Sequence, residues 1–215
     1  MPGPVGEARL DPVGLYREHL QPRLLNATMA TSAATAIRRR VCAGLAGEVL
    51  EIGYGSGLNQ PHLPAGVRRV LAVDPSATGF RLSARRRAAS PVPVLVIGGD
   101  AQALPVPDEH VDAVLSTWNL CAVADPAAAL REVRRVLRPG GLFHFVEHGL
   151  APDDGVVRRQ RRGNAMNRRV AGCVLDRDVR ALLDGSGLQV LTLSTYYEEG
   201  APKPAGYFYE GRARA

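Results

Sequence analysis

The sequence predicts an α/β fold built on a doubly wound, mostly parallel sheet, in one domain over residues 1–215. Short apolar runs rich in β-branched and aliphatic residues alternate with segments of helical pattern. Such runs are typical of strands that are buried on both faces of a parallel sheet. Alternation of strands and helices implies right-handed crossovers. A chain of 215 residues with 46% hydrophobic and 22% charged residues is ordinary for one folded domain.

The predicted strands follow a helical N-terminal segment, residues 1–44, which forms no domain of its own. Five buried strands come next, and two late strands joined by a Pro/Gly-rich loop close the chain. The sequence contains no internal repeat and no low-complexity segment. The predicted strands lie at 49–52, 70–73, 94–97, 113–116, 142–146, 188–193 and 206–211.

Two helices have clear boundaries in the sequence. The first begins at Asp125, an N-cap residue, with Pro126 at the first helical position, and the PGG triplet at 139–141 ends it. The second extends from Asp176 to Gly185. Both helices lie between predicted strands, as the alternating pattern requires.

Cysteine usage and charge limit the functional class. Cys42, Cys121 and Cys173 are widely spaced without a C-x-x-C pair, which predicts neither a disulfide framework nor a metal site and favours the reducing cytoplasm. The N-terminal stretch MPGPVGEARLDPVG has no apolar run, so we expect no signal peptide and no membrane anchor. A net charge of +6 and a pI near 9.7 leave nucleic acid, anionic membranes and acidic substrates open as partners.

The stretch EIGYGSG at 51–57 directly follows the first strand. In a doubly wound sheet, ligands bind at the carboxyl ends of the strands. Gly53, Gly55 and Gly57 would let a nucleotide-like ligand approach the backbone there, although a plain tight turn would use the same residues. A dinucleotide site needs a third glycine at position 58. Leu58 stands there, which counts against an NAD enzyme.

Carboxylates stand at the ends of the first three strands. Glu51 lies within the glycine motif, and Asp74 ends the second strand at the distance expected of a carboxylate that grips both ribose hydroxyls. Asp100 follows the third strand and could accept from an adenine amino group, while the N–H of Ala101 or Gln102 donates to a ring nitrogen. Each acid alone is more often a turn or cap residue, but three successive strand ends favour a nucleotide site.

Four segments carry a resemblance to a known family: EIGYGSG, VDPS at 73–76, GDAQALPVPD at 99–108 and RRVLRPGG at 134–141. They resemble the class I S-adenosylmethionine (SAM) dependent methyltransferases of the type 11 group. STWNLCAVADP, FVEHG and NRRVAGC are similar to small bacterial relatives of the mammalian thiol methyltransferases. The resemblance covers about residues 45 to 212. It implies a Rossmann-like, seven-stranded sheet with an antiparallel last strand, and SAM as cofactor with S-adenosylhomocysteine as product.

The resemblance also implies a role for each motif residue. Glu51 would hold the amino group of SAM, Asn59 would reach its carboxylate, and Asp74 would bind the ribose. Thr117 and Asn119 would lie beside the sulfonium. Whether the ring of residue 54 covers the cofactor or lines the substrate pocket is open. The implied cofactor positions are Glu51, Gly53, Tyr54, Gly55, Gly57, Asn59, Asp74, Pro75, Asp100, Ala101, Gln102 and Thr117.

Methyl transfer from a sulfonium is a direct displacement that depends chiefly on positioning and on exclusion of water. A thiol acceptor needs only its thiolate, whereas a hydroxyl or ammonium acceptor needs a base. Glu147 and His148, at the end of the fifth strand, are the candidate base, with Asn119 as the third candidate catalytic residue. They could equally be a buried carboxylate and a histidine in a structural hydrogen bond. A small-molecule thiol is the first expectation, ahead of oxygen or nitrogen acceptors such as lipid amines.

Residues 150–175 have no regular strand or helix partner, and the resemblance implies that they form a substrate lid. They contain six arginines at 158–169, which would help a lid to select an acidic or amphipathic acceptor or would simply be a solvated surface. A rival hypothesis is a SAM-binding protein that attaches to nucleic acid or membranes without catalysis. The arginine run lacks interleaved aromatic residues, and the fourth strand is followed by TWNLC rather than an N-P-P-Y type motif, so we do not expect nucleic acid as the partner. The oligomeric state stays open.

Overall fold

The computed structural model describes residues 12–215. Its sheet has seven strands: β1 (Gly47–Ile52), β2 (Val67–Val73), β3 (Val94–Val96), β4 (Val111–Thr117), β5 (Leu137–His148), β6 (Gln189–Tyr197) and β7 (Tyr207–Arg214). Their order is β3-β2-β1-β4-β5-β7-β6. The strands β1 to β5 are parallel, and β7 pairs antiparallel with both β5 and β6. The predicted fold class, including the antiparallel last strand, is confirmed.

Helices lie before the sheet and between its strands. They are α1 (Pro12–Leu15), a π-helical turn (Tyr16–Leu20), α2 (Gln21–Thr28), α3 (Ser32–Cys42), α4 (Ala77–Ala88), α5 (Pro126–Val136), α6 (Asp154–Val170) and α7 (Val179–Asp184), with a 3₁₀ turn at Gln60–His62. The N-terminal segment is helical from residue 12 onward, and the part of that prediction on residues 1–11 lies outside the described residues. Within 12–215, no helix combines the length and apolarity that crossing a bilayer requires.

The helix α5 shows how the sequence determines the packing. Asp125 accepts a hydrogen bond from the backbone N–H of Ala128 at 3.0 Å, so the predicted N-cap is present. Leu130, Val133 and Val136 recur at helical spacing and are fully buried against the sheet. Truncating Leu130 to alanine would cost about 2–5 kcal/mol of stability. This core fixes the strand ends on which the site is built.

The segment 150–175 differs from its prediction, because most of it forms the 17-residue helix α6. Gln160, fully buried on that helix, donates through Nε2 to the carbonyl oxygens of Gly149 and Leu175, both at 3.0 Å. Its Oε1 accepts from the N–H of Ala151. Buried polar groups must find such partners, and this glutamine therefore attaches the helix to the body of the domain. The six arginines of the run are exposed on its other faces.

Candidate cofactor and acceptor cleft

A cleft of about 1070 Å³ opens at the carboxyl ends of β1, β2, β4 and β5. This is the position at which doubly wound sheets bind ligands. The α1–α2 region and the C-terminal end of α6 cover it, and the phenol of Tyr16 donates to the carbonyl of Val170 at 2.9 Å, joining the two covers. Predicted site residues on its walls are Glu51, Gly53, Tyr54, Gly55, Asn59, Asp74, Pro75, Thr117, Asn119 and His148.

The three glycines of the motif have different reasons to be glycine. All have positive φ, at 71° for Gly53, 53° for Gly55 and 71° for Gly57. A Cβ on Gly53 would collide with the side chain of Asn119, and one on Gly57 would lie 2.8 Å from the hydroxyl of Tyr54. A Cβ on Gly55 would meet nothing closer than 3.9 Å. Gly53 and Gly57 thus serve packing, whereas Gly55 leaves open space on the cleft wall.

Asp74 follows β2 and holds the glycine turn in place. Its Oδ2 accepts from the N–H of Gly55 at 2.9 Å, and its Oδ1 accepts from the N–H of Ser76 at 2.7 Å. Burial raises the pKa of Asp74, while these two backbone hydrogen bonds oppose the rise. Each carboxylate oxygen retains lone-pair capacity for a ligand hydroxyl. Pro75 is exposed beside it on the same wall.

A buried polar network joins β1 to β4 across the floor of the cleft. Asn59 donates through Nδ2 to Glu51 Oε1 at 2.9 Å and to Thr117 Oγ1 at 3.0 Å. Its amide N–H groups are therefore occupied, and the group it turns toward a ligand is the acceptor Oδ1. The implied contact of Asn59 with the SAM carboxylate stays a prediction.

Three buried atoms around this network lack a hydrogen-bond partner among the described residues: Glu51 Oε2, Asn59 Oδ1 and Asn119 Nδ2. Leaving buried polar atoms unpaired costs about 1–3 kcal/mol each. Glu51 Oε2 and Asn59 Oδ1 could accept hydrogen bonds from the ammonium of an amino-acid head group, and Asn119 Nδ2 could donate to its carboxylate. The residues present therefore fit the methionine part of SAM.

Glu51 is the most perturbed acid of the cleft. Burial raises its pKa to about 8, against the opposing effects of the Asn59 hydrogen bond and the Arg38 charge. Arg38 is itself buried, its guanidinium lies 4.8 Å from the ring centre of Trp118, and burial lowers its pKa to about 10. Sequence reasoning missed Arg38, because an arginine within the run RRR of α3 looks like part of a solvated face.

The sequence leaves two positions open for the ring of Tyr54, over the cofactor or in the substrate pocket, and both stay open. Only 2% of Tyr54 is exposed, and its ring stacks on Phe80 of α4 with centroids 5.6 Å apart. Burial is the main cause of its raised pKa. The tyrosine therefore packs between Phe80 of α4 and the glycine turn, and it forms part of the cleft wall.

Asp100, Ala101 and Gln102 lie after β3, outside the residues that line the cleft. The side chain of Gln102 donates to Asp100 Oδ2 at 2.7 Å, and the Gln102 N–H donates to Asp100 Oδ1 at 3.0 Å. Gln102 Oε1 also accepts from the N–H of Asp125. The three residues form a turn that contacts the start of α5, and their adenine-binding role stays a prediction.

Glu147 organises the turn after β4. Its fully buried carboxylate accepts from Ser116 Oγ at 2.7 Å and from the N–H groups of residues 119–121 at 3.1, 3.0 and 3.3 Å. The turn contains Trp118 at φ 51°, a costly conformation for a bulky residue. Burial raises the pKa of Glu147, and these hydrogen bonds oppose the rise. Glu147 does not line the cleft, so this geometry favours its structural role, with Ser116 and the backbone as partners instead of His148.

His148 lies on the cleft wall beside two thiols. Its Nδ1 is 3.6 Å from Cys121 Sγ and 3.9 Å from Cys173 Sγ. These groups are 27 and 25 residues from His148 in sequence. The sequence predicts no metal site because the cysteines are far apart along the chain, and that stays a prediction. The fold brings the three groups together, which spacing along the chain cannot reveal.

The comparisons with known proteins agree with this geometry. Residues 50–145 match the family described as a methyltransferase domain. Human thiol S-methyltransferase TMT1A is 37% identical over 103 residues, which are 46% of this chain and 42% of that protein. Demethylmenaquinone methyltransferase of Clavibacter sepedonicus is 36% identical over 114 residues, 53% of this chain and 46% of that protein. The match spans less than half the length of these curated relatives.

A crystal structure of an S-adenosylmethionine-dependent methyltransferase from Mesorhizobium loti superposes with a TM-score of 0.64. It covers 87% of this chain and 100% of that chain at 20% sequence identity, so the likeness concerns the fold alone. The strand order and the cleft at the strand ends are those of the class I SAM-dependent methyltransferase fold. Residues 50–145 of the chain are a methyltransferase domain.

Proposed function

We propose that the protein transfers a methyl group from SAM to a small-molecule acceptor, and that the acceptor is a thiol. The observation that carries the first part is the set of unpartnered atoms on Glu51, Asn59 and Asn119 around the open backbone at Gly55. An amino-acid head group would complete these hydrogen bonds. Asp74, one strand away, has lone pairs for the ribose hydroxyls.

SAM, when bound, supplies a methyl group that its sulfonium already activates. The chain would contribute orientation and a dry site, which suffice for a displacement of this kind. Glu51 and Asn59 would hold the ammonium end, Asp74 would hold the ribose end, and Trp118 with the covering helices would exclude water. Glu147 fixes the turn that carries Asn119, next to Thr117 at the end of β4.

A thiol acceptor is supported by the acceptor end of the cleft and by the similarity to thiol S-methyltransferase TMT1A. At that end Cys121, Cys173 and Leu175 form a buried cluster with Trp118, and His148 Nδ1 lies 3.6 Å from Cys121 Sγ. A thiol forms its nucleophilic thiolate without a strong base. A hydroxyl or ammonium acceptor would instead need His148 as the base.

Transfer of a labelled methyl group tests the proposal. The panel consists of an alkyl thiol, a phenol and a lipid amine, each offered with methyl-labelled SAM under reducing conditions. We expect labelled thioether from the thiol and S-adenosylhomocysteine in equal amount. Label on the phenol or amine alone would replace the thiol with an oxygen or nitrogen acceptor, and no transfer to any class would contradict the proposed activity.

A further inference from the structure

Three metal-ligating side chains converge at the acceptor end of the cleft. Cys121 comes from the turn after β4, His148 from the last position of β5, and Cys173 from the segment after α6. Their ligand atoms all lie within 4.8 Å of one another, and all three residues line the cleft. The two cysteines are buried and the histidine is half-buried.

The two distances from His148 Nδ1 fit two edges of a zinc tetrahedron. Zinc binds sulfur at about 2.3 Å and nitrogen at about 2.0–2.1 Å, which puts a sulfur and a nitrogen about 3.6 Å apart across a tetrahedral centre. The two observed distances from His148 Nδ1 are 3.6 Å to Cys121 Sγ and 3.9 Å to Cys173 Sγ. Two thiolates and an imidazole are ligands that zinc prefers. Three protein ligands leave a fourth position open, as in catalytic zinc sites.

Surrounding contacts orient the ligands. The amide of Asn167 on α6 donates to Cys173 Sγ at 3.2 Å and to the Cys173 carbonyl at 2.8 Å. The ring of His148 packs edge-on against Phe208 with centroids 5.2 Å apart. The backbone N–H of Cys121 is held by Glu147. Such contacts fix the orientation of metal ligands and adjust metal affinity.

We propose that Cys121 Sγ, His148 Nδ1 and Cys173 Sγ bind one zinc ion whose fourth position faces the cleft and takes the sulfur of the acceptor. The acceptor part rests on the proposed function; the metal part does not. The acceptor thiol loses its proton to solvent on binding. A sulfur lone pair then forms the new bond to the methyl carbon while the sulfonium C–S bond breaks, with its electron pair on the leaving sulfur. The products are a thioether and S-adenosylhomocysteine, and the zinc keeps its oxidation state.

Metal uptake by the reduced, metal-stripped full chain tests the site without SAM. Because Zn²⁺ is spectroscopically silent, Co²⁺ is titrated first and then displaced by Zn²⁺. We expect one ion per chain and thiolate-to-cobalt charge-transfer bands. Cys121→Ser and Cys173→Ser should lose both, and Cys42→Ser, at a buried cysteine outside the cleft lining, should keep both. Asn167→Ala should bind zinc about 10–100-fold more weakly.

The proposal is overturned if the reduced wild-type protein takes up no metal, whether its thiols stay free or close to a disulfide. The proposal is also overturned if the Cys173→Ser variant still takes up the metal. Should the serine variants fail to fold, X-ray absorption of the zinc-loaded wild-type protein decides. Two sulfurs at about 2.3 Å and a nitrogen at about 2.0 Å support the site, and a shell without two protein sulfurs contradicts it.

The acceptor position has its own test. An alkyl thiol added to the Co²⁺ protein should strengthen the charge-transfer bands, as a third thiolate joins two, and the matched alcohol should leave them unchanged. Identical spectra with both compounds would contradict acceptor binding at the metal. Since neither spectrum depends on turnover, a protein that binds zinc but transfers no methyl group would retain the metal site and lose the proposed function.

Discussion

At the scale of single residues, the protonation state of Glu51 determines how ligand binding in the cleft depends on pH. Its pKa of about 8 means that the ligand-free protein keeps the carboxyl protonated near neutral pH. An ammonium group interacts better with the ionised form, so binding should expel the proton. The charge of Arg38 already favours the ionised form and makes that step easier.

We expect S-adenosylhomocysteine to bind at neutral pH with release of a proton. The measurement is calorimetry in two buffers that differ in ionisation enthalpy, in which the apparent binding enthalpy should differ. Glu51→Gln should abolish the difference and weaken binding about tenfold or more, because a hydrogen bond to a charged group contributes about 1.5–3 kcal/mol. A buffer-independent enthalpy for the wild-type protein would show that Glu51 does not meet the ammonium.

Glu51 should also affect stability without ligand. Its native pKa of about 8 exceeds the ordinary value of 4.5. Between these values the folded state binds a proton that the unfolded chain has lost, so the free energy of unfolding falls as pH rises through this window. One group contributes at most about 1.4 kcal/mol per pH unit. Urea unfolding across the window should give this slope in the wild-type protein and a smaller one in Glu51→Gln; equal slopes would contradict the pKa rise.

Asp74→Ala should lose both the anchor of the glycine turn and the ribose contacts. We expect binding of S-adenosylhomocysteine to weaken by about 2–4 kcal/mol, since charge-assisted hydrogen bonds are the strong ones. Asp108→Ala serves as the control, because Asp108 is exposed outside the cleft lining. Calorimetry on both folded variants checks the prediction, and unchanged affinity in Asp74→Ala would remove this residue from the site.

At the scale of elements, two glycines distinguish the effect of backbone strain on stability from the effect of a side chain in the cleft on ligand binding. Gly55 and Gly140 both have positive φ, at 53° and 80°, and a Cβ has room at both, but only Gly55 lines the cleft. Gly55→Val and Gly140→Val should each lose about 1–2 kcal/mol of stability from the left-handed conformation. Only Gly55→Val should lose affinity for S-adenosylhomocysteine. Equal affinities in the two folded variants would make the turn merely structural.

The conformation of the turn after β4 depends on the hydrogen bonds that Glu147 accepts. Glu147→Gln puts an NH₂ donor where one carboxylate oxygen accepts, which should destabilise the protein by about 1–3 kcal/mol. Exposed Glu199→Gln should change nothing. If Glu147 only positions the turn, the pH profile of methyl transfer keeps its shape in Glu147→Gln while the melting temperature falls. A lost pH-dependent limb with unchanged stability would instead identify Glu147 as the base.

At the scale of the whole molecule, local patterns predicted the sheet well. Buried strands appear as apolar runs, and the cap at Asp125 was visible because capping depends on neighbouring residues. The positions of Glu51 and Asp74 at adjacent strand ends followed from topology. The partners of Glu147, the burial of Arg38 and the meeting of Cys121 with Cys173 depend on packing between distant segments, which no local pattern encodes. The sequence does not predict α6 for the same reason: Gln160 attaches this helix to the carbonyl groups of two separate loops.

Calorimetric titration of the purified chain with S-adenosylhomocysteine and, separately, with NAD tests the central claim most directly. The cleft joins the ends of β1, β2 and β4 around an open glycine backbone, and Leu58 replaces the third glycine of a dinucleotide site. We predict that S-adenosylhomocysteine binds with one site per chain and that NAD gives no heat of binding. Binding of NAD without binding of S-adenosylhomocysteine would contradict the assignment of the cleft to SAM.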